Sequence, residues 1–209
     1  MAPPAKTTTR RRGRRQGEPV SRDVVLRAAK QRFAEEGYEK TTLRAIASDA
    51  HVDPSMVLYL FGSKAELFRE SLRLIVDPDV LVAAIRDGDG DVGTRMVRTY
   101  LEIWEHPDTA TSMVAMLQSA TSNSDAYEAF RAFMQNYVLT AVSGVLGGEQ
   151  ARLRAILAAT NLVGTAILRY VVRVPPLATL PVDDVVRLVA PSVTRYLTAD
   201  AEELGLPEL

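Results

Sequence analysis

Two sets of residues have the types and spacing to do chemistry, and in both the chemistry is binding. The first is cationic. Lys6, Arg10, Arg11, Arg12, Arg14 and Arg15 stand against one acid, Glu18, within residues 1–19, where Pro3, Pro4 and Thr7 to Thr9 leave almost nothing to bury. A block of that composition reads as a disordered basic arm that attracts polyanions. Arg12-Gly13-Arg14 suits a narrow A·T minor groove, into which guanidinium groups insert, although no Pro follows as in an AT-hook. A solvated tail is the alternative reading of the same block. The second set is apolar and polarisable: Met96, Tyr100 and Trp104; Met113, Met116 and Leu117; Phe130, Phe133, Met134 and Tyr137, each group at helical spacing. Core packing accounts for any one of them. Together they suit an adaptable pocket, because Met and aromatic side chains reshape around a guest. Tyr100, Trp104, Gln118, Asn136 and Asn161 are the few candidate polar anchors, so a guest would be mostly apolar.

Other chemistries find no residues. The chain has no Cys, which excludes disulfides, thiol nucleophiles and thiolate metal sites and fits a cytoplasmic location. His51 and His106 are too few for a histidine-rich metal centre. Asp87-Gly88-Asp89-Gly90-Asp91 imitates the start of a calcium loop, but its sixth position is Val92 instead of Gly and its twelfth is Arg98 instead of Glu. No phosphate-binding lysine loop, nucleophile elbow or zinc-protease signature occurs, and no paired general acid and base can be named. Neither catalysis, nor a cofactor, nor a metal is expected. The most apolar run, Ala155 to Leu168, is interrupted by Thr160, Asn161 and Gly164, and no membrane span is expected. The basic N-terminus leads into an amphipathic segment where a signal peptide would place an apolar core.

The elements that position the two sets follow from the pattern. With 47% apolar and 24% charged residues in 209, the chain is long enough for a small domain beside a larger one. Charge divides it: residues 1–75 hold 15 basic and 9 acidic groups, whereas residues 76–209 hold 10 and 17. The N-terminal part therefore wants an anionic partner. Val25, Ala28, Ala29 and Phe33 recur at helical spacing, with Ser21 as N-cap and Gly37 as stop. Thr42 caps a short helix that turns Leu43, Ile46 and Ala47 inward. Asp53-Pro54 starts another, since a carboxylate at N-cap accepts free N–H groups and Pro at N1 has none to lose. Gly62 ends that helix, and Ser63-Lys64-Ala65-Glu66 offers a capping box for a fourth that stops before Pro78. Two short helices across a tight turn, flanked by longer ones and preceded by a basic arm, outline a helix-turn-helix DNA reader. Beyond Pro78 the pattern predicts helices over 79–86, 92–105, 109–120, 125–146, 149–173 and 183–198, with no strand and with Pro191 kinking or dividing the last.

The segment Thr41-Thr42-Leu43-Arg44-Ala45-Ile46-Ala47, then Ala50-His51-Val52-Asp53-Pro54, then Phe61-Gly62-Ser63-Lys64-Ala65-Glu66-Leu67-Phe68 resembles the TetR family of bacterial repressors, and within it an actinobacterial branch whose recognition segment begins Val-Asp-Pro. Leu162 to Leu197 more weakly resembles regulatory domains of that branch. The resemblance implies that Thr42 touches phosphate and that Arg44 reaches a guanine edge, which its bidentate fork suits. It further implies that Ser55 and Met56 face bases, that Tyr59 meets the backbone and that Lys64 binds phosphate. Leu58 and Leu60 depart from the polar residues common there and are expected in the core. His51 replaces the usual turn Gly, which a residue tolerant of left-handed backbone can do at a cost of about 1 kcal/mol.

By the same resemblance, Tyr100, Trp104, Met113, Met116, Phe130, Phe133, Met134 and Tyr137 would contact a small-molecule effector. Helices 79–86 and 92–105 would carry the movement it causes. Helices 149–173 and 183–198, apolar on more than one face, would form a homodimer interface, or else the core of a large monomeric bundle. The expected fold is all-α: a disordered basic arm over 1–19, a three-helix helix-turn-helix domain over 20–76, and a larger helical effector-binding and dimerisation domain over 77–209. The expected function is a cytoplasmic transcriptional repressor that binds a palindromic double-stranded DNA operator as a dimer and is released by a small, mostly apolar effector. An architectural protein that binds through its arm is the competing reading, and an enzyme with a degenerate DNA head a distant third.

Overall fold

Each short helix near the N-terminus begins where a side chain can accept its free N–H groups. The computed structural model describes residues 22–208; the arm with Arg12 and Arg14, and Ser21 as first N-cap, lie outside the described residues. Among the described residues there are eleven α-helices and no strand. The first four are α1 Arg22–Lys40, α2 Leu43–Asp49, α3 Pro54–Phe61 and α4 Lys64–Leu72. Thr42 Oγ1 accepts from Ala45 N at 3.1 Å, Asp53 Oδ1 from Ser55 N at 2.8 Å, and Ser63 Oγ from Glu66 N at 3.1 Å. Only half of the capping box forms, because the Glu66 carboxylate pairs with Arg69 and Ser63 N donates to the Phe61 carbonyl. Gly37 takes φ 74 inside α1 and bends its last turn, and His51 takes φ 54 in the turn between α2 and α3.

Seven helices follow: α5 Pro78–Arg86, α6 Val92–Glu105, α7 Pro107–Ser122, α8 Ser124–Phe133, α9 Leu139–Leu146, α10 Ala151–Ala166 and α11 Val182–Thr198. Five-residue π-helical segments, Met134–Val138 and Ile167–Val171, join α8 to α9 and prolong α10. The 109–120 helix is longer than expected at both ends. Pro107 occupies its first turn and His106 Nδ1 accepts from Asp108 N at 3.2 Å, while Thr121 and Ser122 turn their hydroxyls back onto the carbonyls of Leu117 and Gln118. Pro191, expected to kink or divide the last helix, lies within an unbroken α11. Its ring is on the exposed side and so is Arg187, one turn earlier, whose carbonyl loses its donor where water can replace it.

One apolar cluster runs from Val25 through Leu197. α1 packs on α4 and α7, α4 on α8, and α6 on α11, which also packs on α10. The α6–α11 crossing depends on Gly93, where a Cβ would stand 2.5 Å from the Ala190 carbonyl oxygen and 2.6 Å from Thr194 N. Two buried arginines tie down the two ends of α11, one at its last turn and one at the segment leading into it. Arg154 donates to the carbonyls of Tyr196 and Leu197 at 3.2 and 2.7 Å, satisfying acceptors that the end of α11 would leave free. Arg169 donates to those of Leu177 and Leu180 at 2.7 and 2.8 Å. By length and a mean hydropathy of 1.3, Ala151–Val171 passes the test for a membrane span, contrary to the sequence expectation. Its many alanines raise the average that Thr160, Asn161 and Gly164 interrupt, and it carries two buried arginines that donate to this chain's own carbonyls.

Arg95 braces the calcium-like loop against α5. Its guanidinium donates to the carbonyls of Ala84 and Ile85 in α5 and of Gly90 in the loop, at 3.0, 3.1 and 2.5 Å.

Candidate DNA-reading face and effector cavity

A fork joins α1 to α2: Arg32 pairs with both carboxylate oxygens of Asp49 and with Glu36. The guanidinium holds the Asp49 carboxyl below the usual carboxylate range. Arg22 secures the other end of the head, donating to the Leu60 carbonyl at 2.6 Å and stacking 4.2 Å from the centre of the Phe61 ring. Val57 and Phe61 of α3 are buried, which turns the opposite side outward: Met56 is 37%, Leu58 48% and Tyr59 84% exposed. Leu58 is thus not a core residue as expected, whereas Leu60 is half-buried. Ser55 is exposed with its hydroxyl on Asp53 at 2.6 Å. Arg44 and Thr42 are exposed at the start of α2, and Arg44 makes no hydrogen bond or ion pair among the described residues. Lys64 is engaged: its ammonium lies 4.4 Å from the centre of the Tyr38 ring and donates to the Glu39 carbonyl at 3.2 Å, and burial pushes its pKa down.

The larger region holds an apolar cavity of about 70 Å³. Tyr100, Trp104, Met113, Met116, Phe130, Phe133 and Met134 line it, as does Met96. Tyr137 does not. It lies against Arg73, 5.2 Å from ring centre to guanidinium, in a separate groove with Asp77 and Asn136. Val138 takes the place expected of it. Gln118 and Asn161 are also absent from the wall, and Asn161 donates to its own helix at Leu157. Sequence reasoning missed Ala155, Ala158 and Leu162 of α10, whose spacing of three and four residues was a usable signal. Burial pushes the Tyr100 phenol up to about 12, so it stays protonated and neutral. The Trp104 indole N–H lies near enough to oppose that rise, yet it forms no hydrogen bond of acceptable geometry among the described residues.

α7 touches both regions. Met113 and Met116 line the cavity, and one turn further Ser119 Oγ accepts from the buried backbone N–H of Tyr38 at 3.1 Å. Asn123, the N-cap of α8, donates to the Glu39 carboxylate at 2.5 Å. Tyr38 and Glu39 are the same residues that hold Lys64.

Residues 25–71 match the family described as bacterial regulatory proteins, tetR family, and residues 90–197 match the tetracyclin repressor-like C-terminal domain. A TetR-family regulator from Streptomyces coelicolor A3 is 35% identical over 88% of this chain and 98% of its own, with a TM-score of 0.66. NalD, described as the secondary repressor of the MexAB-OprM multidrug efflux pump in Pseudomonas aeruginosa, shares the fold at 19% identity, covering 85% of this chain and 95% of its own with a TM-score of 0.57. GusR of Salmonella enterica does so at 16% identity, with 84% and 92% covered and a TM-score of 0.56. No curated protein matches the chain in sequence. Two family domains matched in order, on a helix-turn-helix head followed by a helical region with an apolar cavity, place the chain in the TetR family of transcriptional regulators.

Proposed function

We propose that this chain is a repressor that binds a palindromic operator as a homodimer and is released when a small, mostly apolar effector enters the cavity of the C-terminal region. The observation that carries the reading is the double use of α7, whose Met113 and Met116 face the cavity while Ser119 grips Tyr38 at the end of α1. An effector that enlarges the cavity of about 70 Å³ pushes on α7 among the helices around it, and a shift of α7 would strain its hold on Tyr38, which with Glu39 supports Lys64 at the start of α4. The mechanism is a population shift, in which a ligand favouring the displaced state lowers operator affinity by its differential affinity, typically about 1–3 kcal/mol. By resemblance α5 and α6 carry the movement, whereas the hydrogen bonds of Ser119 with Tyr38 and of Asn123 with Glu39 favour α7 and α8.

On the head, Arg44 reads a guanine edge, Ser55 and Met56 face bases with Leu58 against a thymine methyl, and Thr42 and Tyr59 meet the backbone. Lys64 reaches phosphate by leaving Glu39 or bridging to it. Arg12 and Arg14 extend the contact into the adjacent minor groove. Ile156 on α10, Leu168 on its π-helical extension, Val172 just past that extension and Leu188 on α11, all exposed, form the dimer face. The Val52-Asp53-Pro54 segment and the similarity to the Streptomyces regulator support the actinobacterial branch, and a cytoplasmic location accompanies the role. Selection of tight-binding duplexes from a randomised pool at physiological salt, with the mass of the complex, tests the reading. An inverted repeat bound by a dimer, or by two, is expected; A·T-rich DNA without a repeat would shift the reading to the arm.

A further inference from the structure

Beside the inner cavity opens a second concavity of about 470 Å³, whose wall includes Trp104, Thr111, Arg169, Tyr170 and Arg173. Trp104 belongs to both walls. Its indole stacks on the Tyr170 ring with centres 5.4 Å apart and planes 8° from parallel. It is the partition between an apolar chamber and a groove open to water.

The two sides differ in chemistry. The inner wall is Met, aromatic and aliphatic, whereas the outer wall carries two guanidinium groups and no carboxylate. Arg169 is buried, with Nη1 on two carbonyls and Nη2 3.4 Å from Glu105. Glu105, the nearby acid, is also taken by the Tyr170 hydroxyl at 2.8 Å. Arg173 is the unspent charge: it is exposed, and its Nε reaches only the Tyr170 carbonyl, at 3.5 Å. Its backbone sits at φ 58, a left-handed conformation that a non-Gly residue keeps only where its surroundings impose it. Arg169 Nε, buried on this wall, has no hydrogen-bond partner among the described residues, a condition folded proteins rarely tolerate without a use, whereas the Trp104 indole N–H faces the Tyr100 phenol of the inner wall.

We propose that the effector is an amphipathic carboxylate, with its apolar body in the inner cavity and its acid group in the outer groove on Arg173, beside the unpaired Nε–H of Arg169. This rests on the effector reading above and names the chemical class. The guanidinium fork matches a carboxylate in shape as well as charge. The body must make most of its own room, because about 70 Å³ is under half of the roughly 150 Å³ that admits benzene to an engineered apolar cavity, and the flexible methionines of the wall are the side chains that give way.

Octanoate and 1-octanol share a chain and differ in the acid group. Trp104 is the only tryptophan, so its fluorescence reports on both compartments, and equilibrium dialysis of labelled ligand covers a silent signal. The full chain is expected to bind octanoate at least tenfold more tightly than 1-octanol. Arg173→Gln should erase that preference without weakening the alcohol, and Arg173→Lys should restore most of it. Equal affinity for acid and alcohol, an undiminished preference in Arg173→Gln, or no octanoate uptake below its micellar concentration would each overturn the proposal. In those cases a neutral apolar compound that still releases the operator duplex leaves the effector reading standing without its acid subsite; if none does, that reading falls as well.

Discussion

On α2 and α3 the side chains proposed to touch DNA stand in solvent, and other residues hold the fold: Tyr59 is 84% exposed while Val57 and Ile46 beside it are fully buried. Around the cavity the same division disappears. Phe133, Met113 and Trp104, proposed to meet the effector, are themselves core, at 0%, 2% and 3% exposure. The head can therefore change what it reads without changing how it folds, whereas the cavity cannot change what it binds without touching stability. A chain that must recognise two kinds of partner keeps the sequence-specific one on its surface and the shape-specific one in its interior.

The largest effect belongs to the interior. Phe133→Ala removes a fully buried ring, and unfolding by urea should show a loss of about 3–5 kcal/mol, together with increased room for a guest. A loss below about 1 kcal/mol would mean that the ring packs loosely and that the contrast between the regions is weaker than drawn. Next is the link between them. Ser119→Ala leaves the buried Tyr38 N–H without its acceptor, which should lower stability by about 1–3 kcal/mol. If α7 transmits the effector signal, operator release by a bound effector should weaken in this variant by more than effector affinity does. Full release at unchanged effector affinity would remove α7 from the route.

Arg44→Ala should behave in the opposite way. It should cost about 1–3 kcal/mol of discrimination at one base pair, while thermal stability stays within about 0.5 kcal/mol, because the side chain is exposed and makes no contact that the fold uses. Competition between operator and single-base variants separates the two quantities, and an Arg44 variant that melts early would break the comparison from the side of the head.

Much of this was legible in the sequence, and the reason is local. Thr42, Asp53-Pro54, Gly62 and Ser63 punctuate the chain by hydrogen bonds to their own neighbours, so the boundaries of α2, α3 and α4 needed no tertiary information. Where register depends on the rest of the fold, reading failed. Tyr137 lies seven residues after Phe130 and would share its face in a regular helix, but Met134–Val138 is a π segment in which Leu139 N bonds to the Met134 carbonyl, and the extra residue per turn brings Val138 to the cavity instead. Leu58 was assigned to the core because an apolar residue on a helix looks the same whether it meets protein or DNA. Arg154 and Arg169 give no signal at all, since their carbonyl acceptors lie 7 to 43 positions away.

The smallest effect tests whether the head's rigidity is as separate from its reading surface as α2 implies. Asp49 is held below the ordinary carboxylate range mainly by its hydrogen bonds from Arg32. A depressed carboxylate contributes stability that is fully present above its unfolded-state pKa and is lost as pH falls through the lower, folded-state value. The stability difference between wild type and Asp49→Asn should therefore be constant near neutrality and vanish only in acid below the usual carboxylate range. Both partners are open to solvent in part, so the difference should be small and should shrink with added salt. Operator affinity is the sharper readout: if the Arg32–Asp49 fork sets the angle at which α2 presents Arg44, Asp49→Asn should loosen specific binding more than it lowers stability. A fall in stability with specific binding untouched would show that the reading surface does not depend on that angle.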